Sequence, residues 1–294
     1  YQNITHCYRY HKNLYLIMSL AMFSWAIAWT NAKIVNEYLS FYNLIFLRFL
    51  IGFVSLYPFV IKKNNFQVLT IHNLKYLIPA SLLFFIYNIS FFMGTHYGSA
   101  GKGAVLVTTL NPIITFIIMS TIYRKINKGD ILGIILGLLG GFIILDIYNE
   151  GFYNIFNQNN IFFIICALTW GINTVITNYG QKNMNSYQFI FYCYLFTTIL
   201  SIPFIDVDNI MVANLDMRFY INFIIVSLGA MSFGTSVYMY ATPKLGPIKA
   251  SVFIFSVPFL ALGTAYIFLG EQITSNVIIG GLFSLIAIYL VNKR

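Results

Sequence analysis

Ten stretches of about 20 mostly apolar residues follow one another along this chain, each long enough to cross a bilayer as a helix. Charged residues make up 9% of the 294 residues, against about 25% in a soluble domain. The stretches show no strand-like alternation, and helices satisfy their backbone hydrogen bonds internally, as lipid requires. The sequence therefore predicts an all-α, polytopic membrane protein with ten transmembrane helices. The predicted spans are 14–34, 41–61, 74–95, 101–122, 130–147, 160–179, 187–205, 219–241, 247–269 and 275–291.

The formal net charge of +9 follows a topological pattern. If the N-terminus is cytoplasmic, thirteen Lys and Arg residues lie at cytoplasmic helix ends, and only Lys33, Lys102 and Arg218 lie at outer ends. Seven of the eight acidic residues, all except Asp130, then fall outside. An excess of Lys and Arg on cytoplasmic loops sets the orientation of membrane proteins. We therefore predict that both termini are cytoplasmic, and we do not expect nucleic-acid binding.

The second half of the sequence resembles the first half at a nearly constant offset. Trp25 matches Trp170 at an offset of 145 residues, and Pro112 matches Pro258 at 146. Each copy holds five predicted spans. Because five is odd, the second copy enters the membrane from the opposite side.

The charge at the end of a matched helix reverses between the two copies, since Lys125 aligns with Glu271. Inverted repeats are typical of secondary transporters, in which two halves rock about a central site. The predicted organisation is a cytoplasmic N-terminal tail (1–13), a first five-helix repeat (14–147), an outer linker (148–159) and a second five-helix repeat (160–294).

Two stretches, "THYGSAGKGAVLVTTLNPIITFIIM" at 95–119 and "LGPIKASVFIFSVPFLALGTAYIFLGEQIT" at 245–274, resemble the paired motifs of EamA-like ten-helix transporters in the drug/metabolite transporter superfamily. "FLRF" at 46–49 is similar to the second-helix arginine of that family, here Arg48. The resemblance implies a five-plus-five inverted repeat, a central cavity lined mainly by helices 1–4 and 6–9, and export or exchange of small metabolites such as amino acids. The chain departs from the family at Arg124 and Lys125, where the first copy often ends in a glutamate.

Pro112 and Pro258 lie within predicted helices 4 and 9, where each removes one backbone hydrogen bond. They are interpreted either as inert kinks or as flexing points beside the substrate, because interrupted helices at corresponding positions of two repeats mark binding sites. Glu271, at the end of predicted helix 9, is interpreted either as a cap of the following turn or as a proton carrier.

Polar and aromatic side chains within six predicted spans form a candidate substrate site. A polar stripe toward lipid is costly, so these side chains should face a cavity or a neighbouring helix. Arg48, about 10 Å below the outer end of its helix at about 1.5 Å per residue, could bond to helix-end carbonyls or clamp a substrate carboxylate. As a set, the candidates suit a small amphipathic solute. They are Trp25, Arg48, Asn88, Thr109, Asn111, Trp170, Asn173, Ser232 and Tyr238.

We interpret the sequence as a secondary transporter that moves a small organic metabolite by alternating access, through export or exchange. The predicted span centres hold no carboxylate, so a neutral or zwitterionic, amino acid-like solute fits better than a hydrophobic cation. The alternatives are a polytopic membrane enzyme, for which the sequence shows no clustered catalytic groups, and a non-transporting receptor or scaffold. No enzyme activity, metal or cofactor is expected. The expected partners are the solute and the lipid bilayer, a homodimer is left open, and the expected location is the bacterial inner membrane.

Overall fold

The computed structural model of the chain describes residues 2–61, 68–98, 100–123, 127–151, 160–269 and 274–293. Ten long helices in these ranges overlap the ten predicted spans one by one, although the first begins at Gln2 and so includes most of the predicted N-terminal tail. They are α1 (Gln2–Val35), α2 (Phe41–Ile61), α3 (Ile71–Tyr97), α4 (Ala100–Tyr123), α5 (Lys128–Ile144), α6 (Ile161–Gly180), α7 (Ser186–Ser201), α8 (Met217–Leu245), α9 (247–269) and α10 (Ser275–Asn292). Among the described residues, nine have the length and hydropathy of a membrane span, and α5 falls just short at 17 residues.

Short elements lie between some of the long helices: a helix over Ile147–Glu150, a 3-10 turn over Ile202–Phe204 and a helix over Val207–Val212. Three sequence-based interpretations fall outside the described residues. They concern Glu271, the pair Arg124 and Lys125, and residues 152–159 of the predicted linker.

Two helices of the second copy are irregular. The middle of α8 is a π-helix over Ile225–Thr235, and a 3-10 turn over Phe253–Phe255 interrupts α9. The 3-10 turn ends three residues before Pro258, whereas α4 stays α-helical through Pro112. Of the two matched prolines, only Pro258 lies beside a change of helix type.

The packing of the helices repeats with a two-fold pattern. Helix α1 packs against α8 and α9, and its counterpart α6 packs against α3 and α4. Helices α2 and α7 pack against each other, as do α5 and α10, so these helices meet their own counterparts. Replacing each helix by its counterpart in the other copy converts α1–α8 into α6–α3 and α1–α9 into α6–α4, and it leaves the pairings α2–α7 and α5–α10 unchanged. The two copies are therefore related by a pseudo-two-fold axis that passes between them.

Glycines allow a close contact between the backbones of α5 and α10. A Cβ atom built on Gly140 would lie 2.7 Å from the Gly280 carbonyl oxygen, and one built on Gly280 would lie 2.5 Å from the Gly140 carbonyl oxygen. Small residues permit such backbone approach in membrane helices, where lipid tails are as apolar as leucine and tight packing drives association. Any larger residue at these positions would force the two helices apart.

Candidate substrate cavity

A cavity of about 40 Å³ lies where the two copies meet. Residues of α1 to α4 line it from the first copy, and residues of α6, α8 and α9 line it from the second. This volume accommodates only a few water molecules, at about 10–15 Å³ each on the same measure. Sites for small organic molecules occupy about 300–1,000 Å³. As described, the cavity is therefore too small to hold an organic metabolite.

Five of the predicted site residues line the cavity: Trp25, Arg48, Asn88, Asn111 and Trp170. They come from α1, α2, α3, α4 and α6, so side chains from both copies converge on one space. All except Trp25 are buried, and the Asn111 Oδ1 atom has no hydrogen-bond partner in the described part of the chain.

The two repeat-equivalent tryptophans contact each other at the cavity wall. The ring centroids of Trp25 and Trp170 are 5.0 Å apart at an interplanar angle of 86°, an edge-to-face pair of the kind that stabilises aromatic clusters. Tyr238 packs against both, at 5.2 and 5.7 Å, and Tyr87 lies 4.8 Å from Trp170. The Trp25 indole N–H donates to the Ala230 carbonyl oxygen at 3.0 Å. The centre of the molecule is thus an aromatic cluster shared by the two copies.

Arg48 is 5% exposed and is held by neutral groups. Its Nη1 donates to Asn88 Oδ1 at 2.7 Å, and its Nε donates to the Val226 carbonyl oxygen at 3.1 Å. The guanidinium carbon lies 5.6 and 5.8 Å from the ring centroids of Phe91 and Phe92. Arg48 thus bonds to a backbone carbonyl, but this carbonyl lies inside α8, in its π-helical segment, and not at a helix end as one of the two predicted roles required. Arg48 also lines the cavity, so the second predicted role stays compatible with its position.

The four other predicted residues do not line the cavity. The Thr109 side chain lies against Gly141 of α5. Asn173 is buried, and its Oδ1 atom has no hydrogen-bond partner among the described residues. The Oγ atom of the half-buried Ser232 also has no hydrogen-bond partner among these residues. Tyr238 is buried behind the tryptophans, and its hydroxyl lies 2.9 Å from Thr174 Oγ1. Two further candidates, Pro112 and Pro258, also lie outside the lining.

Both prolines nevertheless mark residues that do line the cavity. Thr108 and Ile254 lie four residues before Pro112 and Pro258, and each faces the cavity. A proline removes the N–H that would otherwise bond to the carbonyl four residues earlier. The two prolines could therefore have been used to predict Thr108 and Ile254 as cavity residues, because each lies four positions before one of them.

Sequence reasoning also missed the aromatic residues of α3. Phe84, Tyr87 and Phe91 line the cavity together with Asn88. Their spacing of three, four and seven residues places them on one helical face. Asn88, which was predicted, lies on the same face, so the three aromatic residues could have been added to the predicted site. Trp29 of α1 joins them, four residues after Trp25.

The fold and the cavity define an all-helical, multi-pass membrane protein built from two copies of one five-helix unit around a shared centre. The family model for the EamA-like transporter family matches residues 13–146 and again residues 159–293. The chain belongs to the EamA-like transporter family. It is therefore a membrane transporter, as the paired motifs predicted.

Similar proteins agree with this family. The "Uncharacterized transporter YoaV" of Bacillus subtilis is 26% identical over 251 residues, which cover 83% of this chain and 84% of that protein. An "Uncharacterized transporter" of Archaeoglobus fulgidus is 22% identical over 285 residues, covering 95% and 99% of the two chains. A solved structure described as "Crystal structure of protein" superposes with a TM-score of 0.74 at 14% identity, over 96% of this chain and 97% of the other. That likeness shows the fold.

Proposed function

We propose that this transporter is a secondary carrier that moves a small organic metabolite through the central cavity by alternating access. The observation that carries the proposal is the contact between Trp25 and Trp170, with ring centroids 5.0 Å apart. Each tryptophan belongs to a different copy, so movement of one copy against the other widens or narrows the space between them. In this account, the contracted cavity expands by separation of the aromatic cluster.

Contacts between the copies also close the end of the molecule where α1 terminates. The Tyr38 hydroxyl donates to Asp216 Oδ2 at 3.0 Å, and we name this contact the first latch. Beside it, Arg218 Nη1 lies 3.9 Å from Glu37 Oε2. The latch joins the segment between α1 and α2 to the N-cap residue that precedes α8. It must break if a solute is to enter from this end.

An equivalent contact lies at the opposite end. Asn183 Nδ2 lies 2.7 Å from His72 Nε2, and we name this contact the second latch. At an offset of 145 residues, Asn183 is the counterpart of Tyr38, and His72 is one residue from the counterpart of Asp216. The pseudo-two-fold axis therefore relates the two latches. A carrier that alternates between two openings needs one closure at each end, and the two latches are our candidates for these closures.

The solute we propose is amino acid-like, either neutral or zwitterionic, and it is exported or exchanged. Aromatic walls with a few polar groups suit an amphipathic molecule of this kind. We further propose that the protein resides in a bacterial inner membrane with both termini in the cytoplasm, because Lys and Arg concentrate on that side.

Counterflow in proteoliposomes tests the carrier function. Purified protein is reconstituted, the vesicles are loaded with one unlabelled metabolite at a time from a panel of amino acids, organic acids and amines, and entry of the same labelled compound is measured. We expect counterflow for at least one compound, recovered chemically unchanged. Counterflow of none of the panel would contradict the proposal, and conversion of a compound would indicate an enzyme instead.

A further inference from the structure

We propose that Arg48 makes a carboxylate group obligatory in the transported solute, whereas an ammonium group is dispensable. This inference rests on the carrier function proposed above. It redefines the solute class as organic carboxylates, which include zwitterionic amino acids and simple carboxylate anions but exclude neutral compounds. Four observations carry it: the burial of the guanidinium group, the neutrality of its partners, the placement of the acidic residues, and the geometry of its bond to Asn88.

Burial makes the positive charge of Arg48 energetically unfavourable unless an anion pairs with it. Its side chain is 5% exposed, lies within α2 and lines the cavity. A buried ion costs several kcal/mol in effective terms and is normally paired or coordinated. A guanidinium group carries five N–H donors. Two of them meet neutral oxygens, on Asn88 and Val226.

The described acidic residues provide no fixed countercharge at the cavity. None of them is among the residues that line it. All lie at helix ends or in connecting segments: Glu37, Asp130, Asp146, Glu150, Asp206, Asp208 and Asp216. The described part of the site thus carries a positive charge for which a solute anion is the natural complement. The low dielectric of the interior strengthens such a pair relative to water.

The bond between Arg48 and Asn88 indicates where that anion would bind. The Asn88 amide donates through Nδ2 to the Phe84 carbonyl oxygen at 2.8 Å, which turns its Oδ1 toward the arginine. The resulting 2.7 Å contact has the length of a charge-assisted hydrogen bond. In the contracted state, the amide oxygen occupies the position that one carboxylate oxygen of the solute would take. A planar guanidinium offers a carboxylate two parallel hydrogen bonds. Replacement of the single Asn88 bond by a bond to the solute carboxylate is therefore favourable.

Among the described lining residues, the ammonium group of an amino acid finds no charged partner, and the Asn111 Oδ1 atom offers it only a neutral acceptor. Of the described residues that line the cavity, none is acidic, and the walls near the tryptophans are aromatic. Aromatic faces tolerate a cation, but the attraction is weaker than that of a paired carboxylate. We therefore expect the cavity to accept an ammonium group without requiring it.

The test compares matched probes on the unmodified protein. Each set contains an amino acid, the acid that lacks its ammonium group and the amine that lacks its carboxylate: phenylalanine, 3-phenylpropionate and phenethylamine, and leucine, 4-methylpentanoate and isoamylamine. Competition against counterflow of the best compound from the panel is measured. We expect each acid to compete within about threefold of its amino acid, and each amine to compete at least tenfold more weakly. Amines that compete as well as acids, or counterflow that no carboxylate inhibits, would overturn the inference while leaving the carrier function intact.

A fixed carboxylate beside Arg48 provides a second test. Asn88→Asp keeps the side-chain shape and places an anion where the amide oxygen lies, so it should compete with the solute. We expect carboxylate counterflow to fall at least tenfold while the protein stays folded, as judged by size-exclusion chromatography and thermal unfolding. Asn276→Asp, the same change near the N-terminus of α10 and away from the cavity, is the matched control. Normal counterflow in a folded Asn88→Asp protein would contradict the role of Arg48.

Discussion

Arg48 is buried in α2, and both of its hydrogen-bond partners are neutral groups on other helices. Its depth in a predicted helix already indicated a constrained charge, and two roles were open. The structure supplies the groups that the sequence could not: Asn88, 40 residues away, and the Val226 carbonyl, 178 residues away. Their identity depends on how the two copies pack. Local pattern therefore located the charge but could not determine its environment.

Thr109 illustrates the limit for neutral polar residues. Thr108 and Thr109 are adjacent in α4, but only Thr108 lines the cavity, while Thr109 lies against Gly141. Consecutive helical residues point about 100° apart, since an α-helix has 3.6 residues per turn. To predict which of the two threonines faces the cavity, one must know how α4 is rotated about its own axis. That rotation is set by contacts with α5 and α6, which no single-sequence pattern encodes.

Trp170 should be required for transport because it forms the wall between the two copies. We expect Trp170→Ala to lower the initial counterflow rate at least tenfold and to destabilise the protein, by about 3–5 kcal/mol if a soluble core is a guide. Trp170→Phe should retain more of the counterflow rate and more of the stability than Trp170→Ala. Tyr289→Ala, which truncates an exposed aromatic residue of α10, is the control. Rates are normalised to monodisperse protein, and a Trp170→Ala rate equal to that of Tyr289→Ala would remove this residue from the site.

The first latch should respond to pH through Asp216. The backbone N–H of Phe219 bonds to its carboxylate and lowers its pKa below the usual 3.8, and the Tyr38 hydroxyl adds to this effect. A depressed carboxyl pKa means that the stabilisation is complete above the ordinary pKa and is lost as the pH falls through the lowered value. The thermal stability of the unmodified protein should therefore exceed that of Asp216→Asn at neutral pH, and the difference should begin to shrink near the ordinary pKa of about 4 and disappear as the pH falls through the lowered pKa. A difference that is constant from pH 7 to pH 3 would contradict this.

The irregular helices α8 and α9 were only partly predictable. The sequence indicated an interruption of α9 through Pro258, and the 3-10 turn lies just before that residue. No comparable signal marked the π-helix of α8. Its carbonyl oxygens accept side-chain hydrogen bonds from Arg48, Trp25 and Tyr194, which lie on three other helices. Such irregular turns frequently occur at functional sites, and the partners of this one lie far away in the sequence.

Pro258 should allow α9 to flex during transport. We expect Pro258→Ala to restore a backbone N–H, favour regular α-helix and slow counterflow several-fold without loss of folded protein. Pro58→Ala is the matched control, because Pro58 lies inside α2 and is exposed. Both variants are compared by initial rate and by thermal unfolding. If Pro258→Ala transports as fast as the control, the proline is an inert kink.

For the molecule as a whole, the sequence predicted the helices and the repeat well, because both depend on simple quantities. Helix count follows from apolar length, and the internal duplication follows from matches at a fixed offset. The pairing of α1 with α8 and α9, and of α6 with α3 and α4, then follows the pseudo-two-fold pattern. The volume of the cavity could not be predicted in this way. It depends on how closely large side chains such as Trp25 and Trp170 interlock.

The orientation in the membrane remains a prediction from charge, and labelling can test it. Single cysteines are introduced at Asn127 or Asn149 after Cys7, Cys166 and Cys193 are replaced by serine. An impermeant thiol reagent applied to intact cells should label position 149, beyond the end of α5, and should spare position 127, before its start. Both positions should react after permeabilisation. The reverse pattern in intact cells would place the termini outside and overturn the account of the charge reversal.

Alternating access is the central claim, and cross-linking the two latches tests it most directly. One variant carries Tyr38→Cys with Asp216→Cys, and a second carries His72→Cys with Asn183→Cys, both without the native cysteines. Each pair is joined by a short bifunctional thiol reagent with a cleavable spacer, and counterflow is measured before and after cleavage. The account predicts that either cross-link alone abolishes counterflow and that cleavage restores it, because a solute needs each end to open in turn. Full counterflow with either end cross-linked would contradict it.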